Sequence, residues 1–461
     1  MNSENKKIVL LNPPSSKLLQ RDFICSASSK ANYYWPPIDF VVLSGILKNH
    51  KLKLIDAIID NLSPVEVLKK IQEEKPDFII SLVSAIDFEN EVKILEKIKK
   101  ENPQAKIITI GDVAFFEKDS VIAKNCIDAI LLKFVSHEIL SYIQNPSNKK
   151  IKDLIYKING RIVWNGFEKS KFFSYGQANF GIFDLNKYSI PYALHKPFAP
   201  ILTNYGCPYQ CEFCSSGKIG YYLRDIEETK KEIASFAKQG FKEMFIRDFN
   251  FTTNKQFVRE LCDFIIDSKI KIAWSCEGRV DNVDEELLLK MKEAGCYLIF
   301  FGIESGNQKS LDLINKNTTI EQIIKVFSFC KKIKIKTLGS VIIAYPGETK
   351  EEILETINFV KEINADYISF NLYVPRYGST LRARLEKDKK LKNDSKFDSS
   401  TEFINLTKIS DEEIMNLYKK AIKSFYFRPR YIFEQIMKMR TISQIKSHFL
   451  NGWSLLKKSL A

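Results

Sequence analysis

Apolar residues in the first third of the chain fall into short runs, and segments with helical periodicity separate these runs. The runs are Ile8–Leu11, Leu52–Ile55, Phe78–Val83, Ile107–Ile110 and Ala129–Leu132, with helical periodicity between them over Val65–Glu74 and Asn90–Glu101. Strands that alternate with helices indicate an α/β fold with a doubly wound parallel sheet, which we predict for residues 1–145. Ligands bind such sheets beyond the carboxyl ends of the strands, where Asn12, Ser84 and Gly111 stand.

The same alternation returns in the second half of the chain, after an irregular connector that we place at residues 146–195. The connector contains Asn159-Gly160, a dipeptide typical of two-residue hairpin turns. A first strand at Ile201 is then followed by strand patterns at Glu243–Asp248, Lys271–Cys276, Tyr297–Gly302, Gly339–Ala344 and Tyr367–Asn371. Six such units predict a partial (β/α)6 barrel over residues 196–385. Residues 386–461 are basic, and we predict that they form a mostly helical C-terminal tail.

Length and composition indicate a globular protein of more than one domain. The chain has 461 residues, of which 45% are hydrophobic and 27% are charged. This length exceeds one ordinary hydrophobic core. The net charge of +14 suits nucleic acid, anionic lipid or an acidic substrate. The lysines are dispersed along the chain, however, which favours solvated helix faces, and we expect no nucleic-acid partner.

The sequence shows no segment that would cross a membrane. It contains no run of eighteen apolar residues, and its N-terminus lacks the apolar stretch of a secretory signal, so we predict a cytoplasmic protein. The last stretch, Ile445–Leu460, mixes Phe449 and Trp453 with lysines. Such a stretch can touch a membrane surface or a lipid-like substrate, and the alternative is a helix that packs on the barrel.

Three cysteines in one short run are the strongest chemical signal in the chain. Cys207, Cys211 and Cys214 have Cys-x3-Cys-x2-Cys spacing. Three thiolates hold three irons of a [4Fe–4S] cluster and leave the fourth iron open for a small ligand. A structural zinc site needs four ligands, usually in two spaced pairs, and the position of His195 fits no such pattern. A disulfide would need an oxidising compartment, which nothing else in the sequence indicates.

The other six cysteines form no second tight group. They are Cys25, Cys126, Cys262, Cys276, Cys296 and Cys330. Since closely spaced cysteines are the usual sign of an iron–sulfur site, we expect these six to behave as small core residues.

The cysteine run resembles the signature of the radical S-adenosylmethionine (SAM) superfamily, and Phe213 occupies that family's aromatic position. Three strand ends resemble further family motifs: Arg247-Asp248-Phe249-Asn250, Gly302-Ile303-Glu304-Ser305-Gly306 and Ala344-Tyr345-Pro346-Gly347-Glu348-Thr349. The resemblance implies that the open iron binds SAM and that reduction splits SAM to a 5'-deoxyadenosyl radical. It also implies SAM contacts from Phe213, Arg247, Asp248, Glu304, Ser305 and Tyr345. The alternative for each strand end is a helix cap, as Thr349 followed by Glu352 would form.

The N-terminal segment resembles the cobalamin-binding domain of cobalamin-dependent radical SAM enzymes. The supporting residues are Asn12-Pro13-Pro14, Trp35-Pro36-Pro37 with Leu43, Gly45 and Leu47, and Leu54-Ile55-Asp56-Ala57. The resemblance implies bound cobalamin, with Asn12, Ser84 and Gly111 as candidate contacts. The Asp-x-His-x-x-Gly motif of some cobalamin proteins is absent, so we expect no histidine on the cobalt. The alternative is a sheet domain without the cofactor.

Together these resemblances imply an enzyme that cleaves SAM reductively with a [4Fe–4S] cluster. We expect methyl transfer to an unactivated carbon of a small-molecule or lipid-like metabolite. Two alternatives stay open: a radical rearrangement, cyclisation or oxidation without methyl transfer, and modification of RNA. An electron donor such as flavodoxin or ferredoxin is the expected protein partner.

Overall fold

The computed structural model describes residues 5–433 except 22, 24–25, 30–32, 392–402 and 430. Its strands are β1 Lys7–Asn12, β2 Leu19–Gln20, β3 Ala27–Ser28, β4 Lys51–Asp56, β5 Phe78–Leu82, β6 Lys106–Ile110, β7 Ala129–Leu131, β8 Leu154–Ile158, β9 Arg161–Trp164, β10 Phe172–Phe173, β11 Ala199–Ile201, β12 Asn204–Gly206, β13 Tyr221–Arg224, β14 Glu243–Ile246, β15 Ala273–Gly278, β16 Cys296–Glu304, β17 Lys336–Ile343 and β18 Tyr367–Leu372. Its helices are α1 Ile38–Ile46, α2 Pro64–Glu74, α3 Phe88–Glu101, α4 Asp112–Phe116, α5 Lys118–Ile122, α6 Glu138–Gln144, α7 Ile226–Lys238, α8 Lys255–Asp267, α9 Glu285–Glu293, α10 Gln308–Leu313, α11 Ile320–Lys332, α12 Lys350–Glu362, α13 Thr380–Lys387 and α14 Asp411–Tyr426.

The N-terminal sheet has the order β4-β1-β5-β6-β7-β8-β9, and its first five strands are parallel. Alternate residues of β1 enter different cores, with Ile8 and Leu10 on one face and Val9 and Leu11 on the other. Both faces are therefore covered, which confirms the predicted doubly wound domain. The order of the five parallel strands places a topological switch point between β1 and β5, where open α/β sheets bind ligands.

The hairpin predicted at Asn159-Gly160 is present, but it extends the N-terminal sheet. Asn159 and Gly160 have φ of 49° and 78°, as the turn requires. β8 pairs antiparallel with β7, and β9 with β8. The sheet thus reaches Trp164, beyond the boundary that the sequence placed at residue 145, because β8 pairs with what would otherwise be an open sheet edge.

The second domain is the predicted partial barrel of six parallel strands, in the order β11-β14-β15-β16-β17-β18. Helices α7 to α12 lie between successive strands in the chain. Helix α14 packs on α12 and covers the edge of β18, where the Tyr426 hydroxyl donates to the Ile368 carbonyl at 2.6 Å and accepts from its N–H at 3.0 Å. The stretch Ile445–Leu460 lies outside the described residues.

Within the described residues, every helix is too short or too polar to span a bilayer.

Candidate active site

The three cysteines lie on a loop between β12 and β13, which pair with each other antiparallel. The base of the loop is tightly closed. Gly206 has a φ of 82°, and a Cβ there would lie 1.9 Å from the Gly220 carbonyl oxygen. The next residue, Cys207, donates its backbone N–H to the same oxygen at 2.9 Å. The first thiol is therefore held at the point where the loop leaves the sheet.

The loop presents three free thiols. Cys211 is buried, and Cys207 and Cys214 are half-buried. The Ser216 N–H donates to Cys214 Sγ at 3.5 Å, a contact that would stabilise a thiolate. Among the residues that the structure describes, no three His, Cys, Asp or Glu side chains are grouped to hold a metal ion directly. A [4Fe–4S] cluster needs a different arrangement, since each thiolate binds its own iron, and three free thiols on one loop fit that need.

Phe213, the predicted aromatic residue beside the cysteines, is held near the barrel by contacts of its neighbour Glu212. The carboxylate of Glu212 accepts from the Tyr345 hydroxyl at 2.7 Å and from Arg384 Nη1 at 2.7 Å. Phe213 packs partly buried against the main core. The structure thus brings Tyr345, at the end of β17, to the cysteine loop. Thr349 and Glu352 do form a capping box at the start of α12, as the alternative interpretation predicted.

Asp248 lies just beyond β14 and supports the strand that leads into the cysteine loop. Its carboxylate accepts from the Thr203 N–H at 2.6 Å, the Thr203 hydroxyl at 2.5 Å and Asn204 Nδ2 at 2.8 Å. Asp248 is fully buried, and burial raises its pKa to about 7. Three protein donors already occupy the carboxylate of Asp248. A direct contact between Asp248 and SAM therefore stays a prediction.

Arg247 connects the barrel to the N-terminal domain. Its guanidinium forms an ion pair with Glu277 at the end of β15. The guanidinium carbon also lies 4.9 Å from the centre of the Trp35 ring, which precedes α1. The predicted Arg247 thus stands between the two domains.

The fourth strand of the barrel ends in an irregular turn that carries Glu304 and Ser305. The pairing of β16 with β17 shifts register between Gly302 and Glu304, and Glu304 has a φ of 65°. Glu304 forms a buried ion pair of 2.9 Å with Lys316 Nζ. The Ser305 hydroxyl lies 3.0 Å from the Thr356 hydroxyl. Both side chains are buried, so their predicted contacts with SAM stay predictions.

Two cations that sequence reasoning missed stand beside Cys211. Arg279 follows β15 directly, and its Nη1 lies 3.5 Å from Cys211 Sγ. Lys316 acts on the same thiol electrostatically. A charged residue directly after a buried strand was the available signal for Arg279, whereas Lys316 lies in a turn and gave no signal.

At the edge of the N-terminal sheet, Asn12 and Ser84 belong to one buried polar network. Arg21 donates to the Asn12 side-chain oxygen at 3.0 Å and forms a 2.6 Å ion pair with Glu91. Glu91 in turn accepts from the Ser84 N–H at 2.7 Å and from the Ser84 hydroxyl at 2.6 Å. Asn12 and Ser84 meet at the predicted edge, but their side chains face protein partners and are fully buried. In this arrangement they shape the loops at the edge, and direct cobalamin contact stays a prediction.

Gly111 ends the adjacent strand β6 in a backbone conformation that only glycine adopts readily. Its φ is 131°, and a Cβ there would lie 2.0 Å from the Val83 carbonyl oxygen. The next residue, Asp112, accepts from the Ala85 N–H at 3.0 Å, and burial raises its pKa. Gly111 therefore allows the loops after β5 and β6 to lie against each other, which shapes the floor of this edge.

The carboxyl edges of the two domains face each other. Phe116 of α4, which follows the Gly111 turn, lies against Gly378 in the loop after β18, where a Cβ would be 2.2 Å from the ring. On the other side, the Trp35 ring lies 6.1 Å from the Phe245 ring of β14. The two domains are thus in direct contact at both of these places.

Comparison with known proteins agrees with this arrangement. Residues 201–360 match the sequence profile of the Radical SAM superfamily. An uncharacterized methyltransferase of Pyrococcus horikoshii is 28% identical over 443 residues, which cover 93% of this chain and 94% of that protein. An anaerobic magnesium-protoporphyrin IX monomethyl ester cyclase of Rubrivivax gelatinosus is 25% identical over 359 residues, or 74% of this chain and 64% of the cyclase.

Among solved structures, the cobalamin-dependent SAM radical enzyme OxsB, with aqua-cobalamin and SAM bound, superposes with a TM-score of 0.69. The match covers 99% of this chain and 72% of OxsB at 16% identity, so it establishes the shared fold. The predicted fold class, a doubly wound parallel sheet and a partial barrel, is confirmed by this likeness. Residues 201–360 of this enzyme therefore match the Radical SAM superfamily, and the chain shares the fold of the cobalamin-dependent SAM radical enzyme OxsB.

Proposed function

We propose that this enzyme uses a [4Fe–4S] cluster, SAM and cobalamin to transfer a methyl group to an unactivated carbon. The observation that carries the proposal is the set of three free thiols, Cys207, Cys211 and Cys214, on the loop between β12 and β13. The relative named as a methyltransferase, which aligns over 93% of this chain, supports methyl transfer in particular.

The chain's own residues would position these groups. Cys207, Cys211 and Cys214 would bind three irons, and Glu304 and Tyr345, near the ends of β16 and β17, would contact SAM. The Gly111 turn, which lets the loops after β5 and β6 pack together, would shape the floor of the edge at which a corrin ring would bind. When bound, the cofactors supply the radical and the methyl carrier, while the protein supplies position and exclusion of water. The reducing electron would come from a donor such as flavodoxin or ferredoxin.

An aromatic cluster between the domains supports a small-molecule or lipid-like substrate. Tyr205 of β12 lies 5.6 Å from the Phe23 ring and 5.0 Å from the Phe134 ring, both in the N-terminal domain. The Phe249 ring, beyond β14, lies 5.8 Å from the same tyrosine. Tyr205, Phe23 and Phe134 are buried in the core. This packed cluster, which Tyr205 places two residues before the first cysteine, would exclude water from a reactive carbon radical and would suit an apolar substrate.

Radical ring closure or oxidation without methyl transfer is the second candidate function. It is favoured by the cyclase relative of Rubrivivax gelatinosus, which aligns over 74% of this chain. Modification of RNA has narrower support: a tRNA-2-methylthio-N(6)-dimethylallyladenosine synthase of Petrotoga mobilis is 26% identical over 218 residues, which cover 42% of this chain. The cysteines outside the loop that the structure describes, namely Cys126, Cys262, Cys276, Cys296 and Cys330, are all buried as predicted. Cys25 lies outside the described residues.

The test is an anaerobic incubation of cobalamin-loaded protein with reductant, SAM carrying a deuterated methyl group, and a metabolite and lipid extract. Methyl transfer predicts both S-adenosylhomocysteine and 5'-deoxyadenosine, together with a deuterated product. Cys214→Ala should abolish 5'-deoxyadenosine, and Cys262→Ala, which alters a buried cysteine of α8 away from the loop, should not. 5'-Deoxyadenosine alone would contradict methyl transfer and favour the second candidate. Absence of both nucleoside products would contradict either function.

A further inference from the structure

The guanidinium of Arg279 lies against the thiol of Cys211. Nη1 is 3.5 Å from Sγ, within the range of a hydrogen bond to sulfur. The two residues are separated by 68 positions in the sequence and meet because Arg279 follows β15 directly. Arg279 is only 5% exposed, so water competes little for this contact.

The other donors of Arg279 are already engaged, which fixes the orientation of the guanidinium. Nε and Nη2 donate to the two carboxylate oxygens of Asp281, each at 2.9 Å. Nη2 also donates to the Lys316 carbonyl at 2.5 Å. The guanidinium carbon lies 4.0 Å from the centre of the Tyr209 ring, on the cysteine loop itself. Nη1 is therefore held toward Cys211 by contacts on its other sides.

The turn at residues 314–316 holds the cysteine loop against Arg279. The Ile314 carbonyl accepts from the Glu212 N–H at 3.0 Å. Asn315 Nδ2 donates to the Gln210 carbonyl at 3.1 Å. These two bonds flank Cys211 in the sequence. The distance from Arg279 to Sγ is thus set by protein contacts that do not involve a metal.

We propose that Arg279 raises the reduction potential of the cluster that Cys211 helps to bind; this inference rests on the proposed function. Its N–H would donate to the Cys211 thiolate, and such hydrogen bonds tune the potential of iron–sulfur clusters. Reduction adds one electron, from a one-electron donor, and increases the negative charge on the sulfurs. The Arg279 contact stabilises that reduced form. Arginine suits the role because one planar fork reaches Asp281, the Lys316 carbonyl and the thiolate at once, which a lysine cannot do.

The same contacts would also make Arg279 a structural residue, so the test needs a matched control. Arg382 provides one: it is 4% exposed, Nε donates to Glu386 at 2.7 Å, and Nη1 donates to the Pro375 carbonyl at 3.1 Å. Its guanidinium carbon lies 3.6 Å from the centre of the Tyr377 ring. Arg382 thus shares the carboxylate, carbonyl and tyrosine contacts of Arg279 but contacts no cysteine among the described residues.

The experiment is a redox titration of the full chain with reconstituted cluster, followed by electron paramagnetic resonance and without substrate. Arg279→Gln should lower the potential so that the reduction equilibrium falls about tenfold, or about 59 mV for one electron. Arg382→Gln should leave the potential unchanged. If Arg279→Gln does not retain its iron, the potential of Arg279→Lys is measured instead. This variant should also have a lower potential than the wild type.

An unchanged potential in the decisive Arg279 variant, with iron retained, would overturn this inference and leave the proposed function standing. An equal shift in Arg382→Gln would also overturn it, since the effect would then be a general consequence of losing a buried arginine. Wild-type protein that binds no iron after reconstitution would instead overturn the proposed function, and this inference with it.

Discussion

The carboxylate of Asp248 accepts two hydrogen bonds from Thr203, from its backbone N–H at 2.6 Å and from its hydroxyl at 2.5 Å. Thr203 lies between the first barrel strand, β11, and β12, which leads directly into Cys207. One buried carboxylate thus joins the ends of two parallel barrel strands to the strand that carries the cysteine loop.

Asp248→Asn should destabilise the protein and loosen this junction. The carboxyl group of Asp248 meets donors on both of its oxygens, whereas the asparagine amide has a single acceptor oxygen. One buried donor therefore loses its partner in the variant. We expect a loss of about 1–3 kcal/mol in the free energy of unfolding near pH 5, measured by urea denaturation. Equal stability of wild type and variant at that pH would contradict the role assigned to Asp248.

The stability that Asp248 contributes should depend on pH. Burial raises its pKa from 3.8 to about 7, so folding takes up a proton between these values. The contribution is fully present below about pH 4 and is lost as the pH rises through about 7. The difference in unfolding free energy between wild type and Asp248→Asn should therefore shrink from pH 4 to 8. A difference that stays constant or grows over this range would refute the assignment. Glu243, whose pKa burial also raises, titrates in both proteins and cancels from the comparison.

Gly111→Ala, at the edge of the N-terminal sheet, should reduce the free energy of unfolding more than Gly160→Ala, which lies in an open turn. At Gly111 the new Cβ would lie 2.0 Å from a backbone oxygen, whereas at Gly160, with φ of 78°, no atom lies within 4 Å. We expect Gly160→Ala to cost about 1–2 kcal/mol from backbone strain alone. Gly111→Ala should cost about 1–3 kcal/mol more because of the overlap. Urea denaturation measures both, and equal costs would contradict the close approach at Gly111.

Arg21 and Glu91 should behave as a coupled pair in a double-mutant cycle. Both side chains are at most 1% exposed, and their ion pair spans 2.6 Å. Arg21→Met leaves the buried Glu91 without its cation and should cost about 3–5 kcal/mol. Glu91→Gln should cost less, because Arg21 keeps an ion pair of 3.6 Å with Asp87. The double variant should cost about as much as one single variant. Additive costs in unfolding experiments would show that the two side chains do not depend on each other.

Tyr345→Phe should weaken the attachment of the cysteine loop, while Tyr373→Phe should not. The Tyr345 hydroxyl donates to Glu212 at 2.7 Å. The Tyr373 ring lies 5.1 Å from that of Tyr345, but its buried hydroxyl has no hydrogen-bond partner among the described residues. We expect a loss of about 1 kcal/mol for Tyr345→Phe and no loss for Tyr373→Phe, by thermal or urea unfolding. The reverse order would contradict the hydrogen bond to Glu212.

Much of the fold could be predicted because buried strands leave a local pattern. The run Tyr297–Gly302, for example, lies within β16, which spans Cys296–Glu304. The hairpin turn at Asn159-Gly160 was equally readable. Its membership in the N-terminal sheet was not, because a hairpin's sequence specifies its turn but not the strand beside which it packs.

The candidate site was predictable where spacing alone defines it, as at the three cysteines. Sequence reasoning placed Asn12 and Ser84 at the correct edge but gave no direction to their side chains, which turn inward to Arg21 and Glu91. Arg279 was missed because its partner Cys211 is distant in the sequence, and only the packing of β15 beside the cysteine loop brings them together.

The most direct test of the central claim is the iron and cobalt content of the chain, purified without oxygen and supplied with cobalamin. The account predicts about four irons and about one cobalt per chain. The variant in which Cys207, Cys211 and Cys214 are all alanine should lose the iron and keep the cobalt, because the two cofactors would bind different domains. Iron that survives in this variant, or a wild-type protein that binds neither metal, would contradict the account.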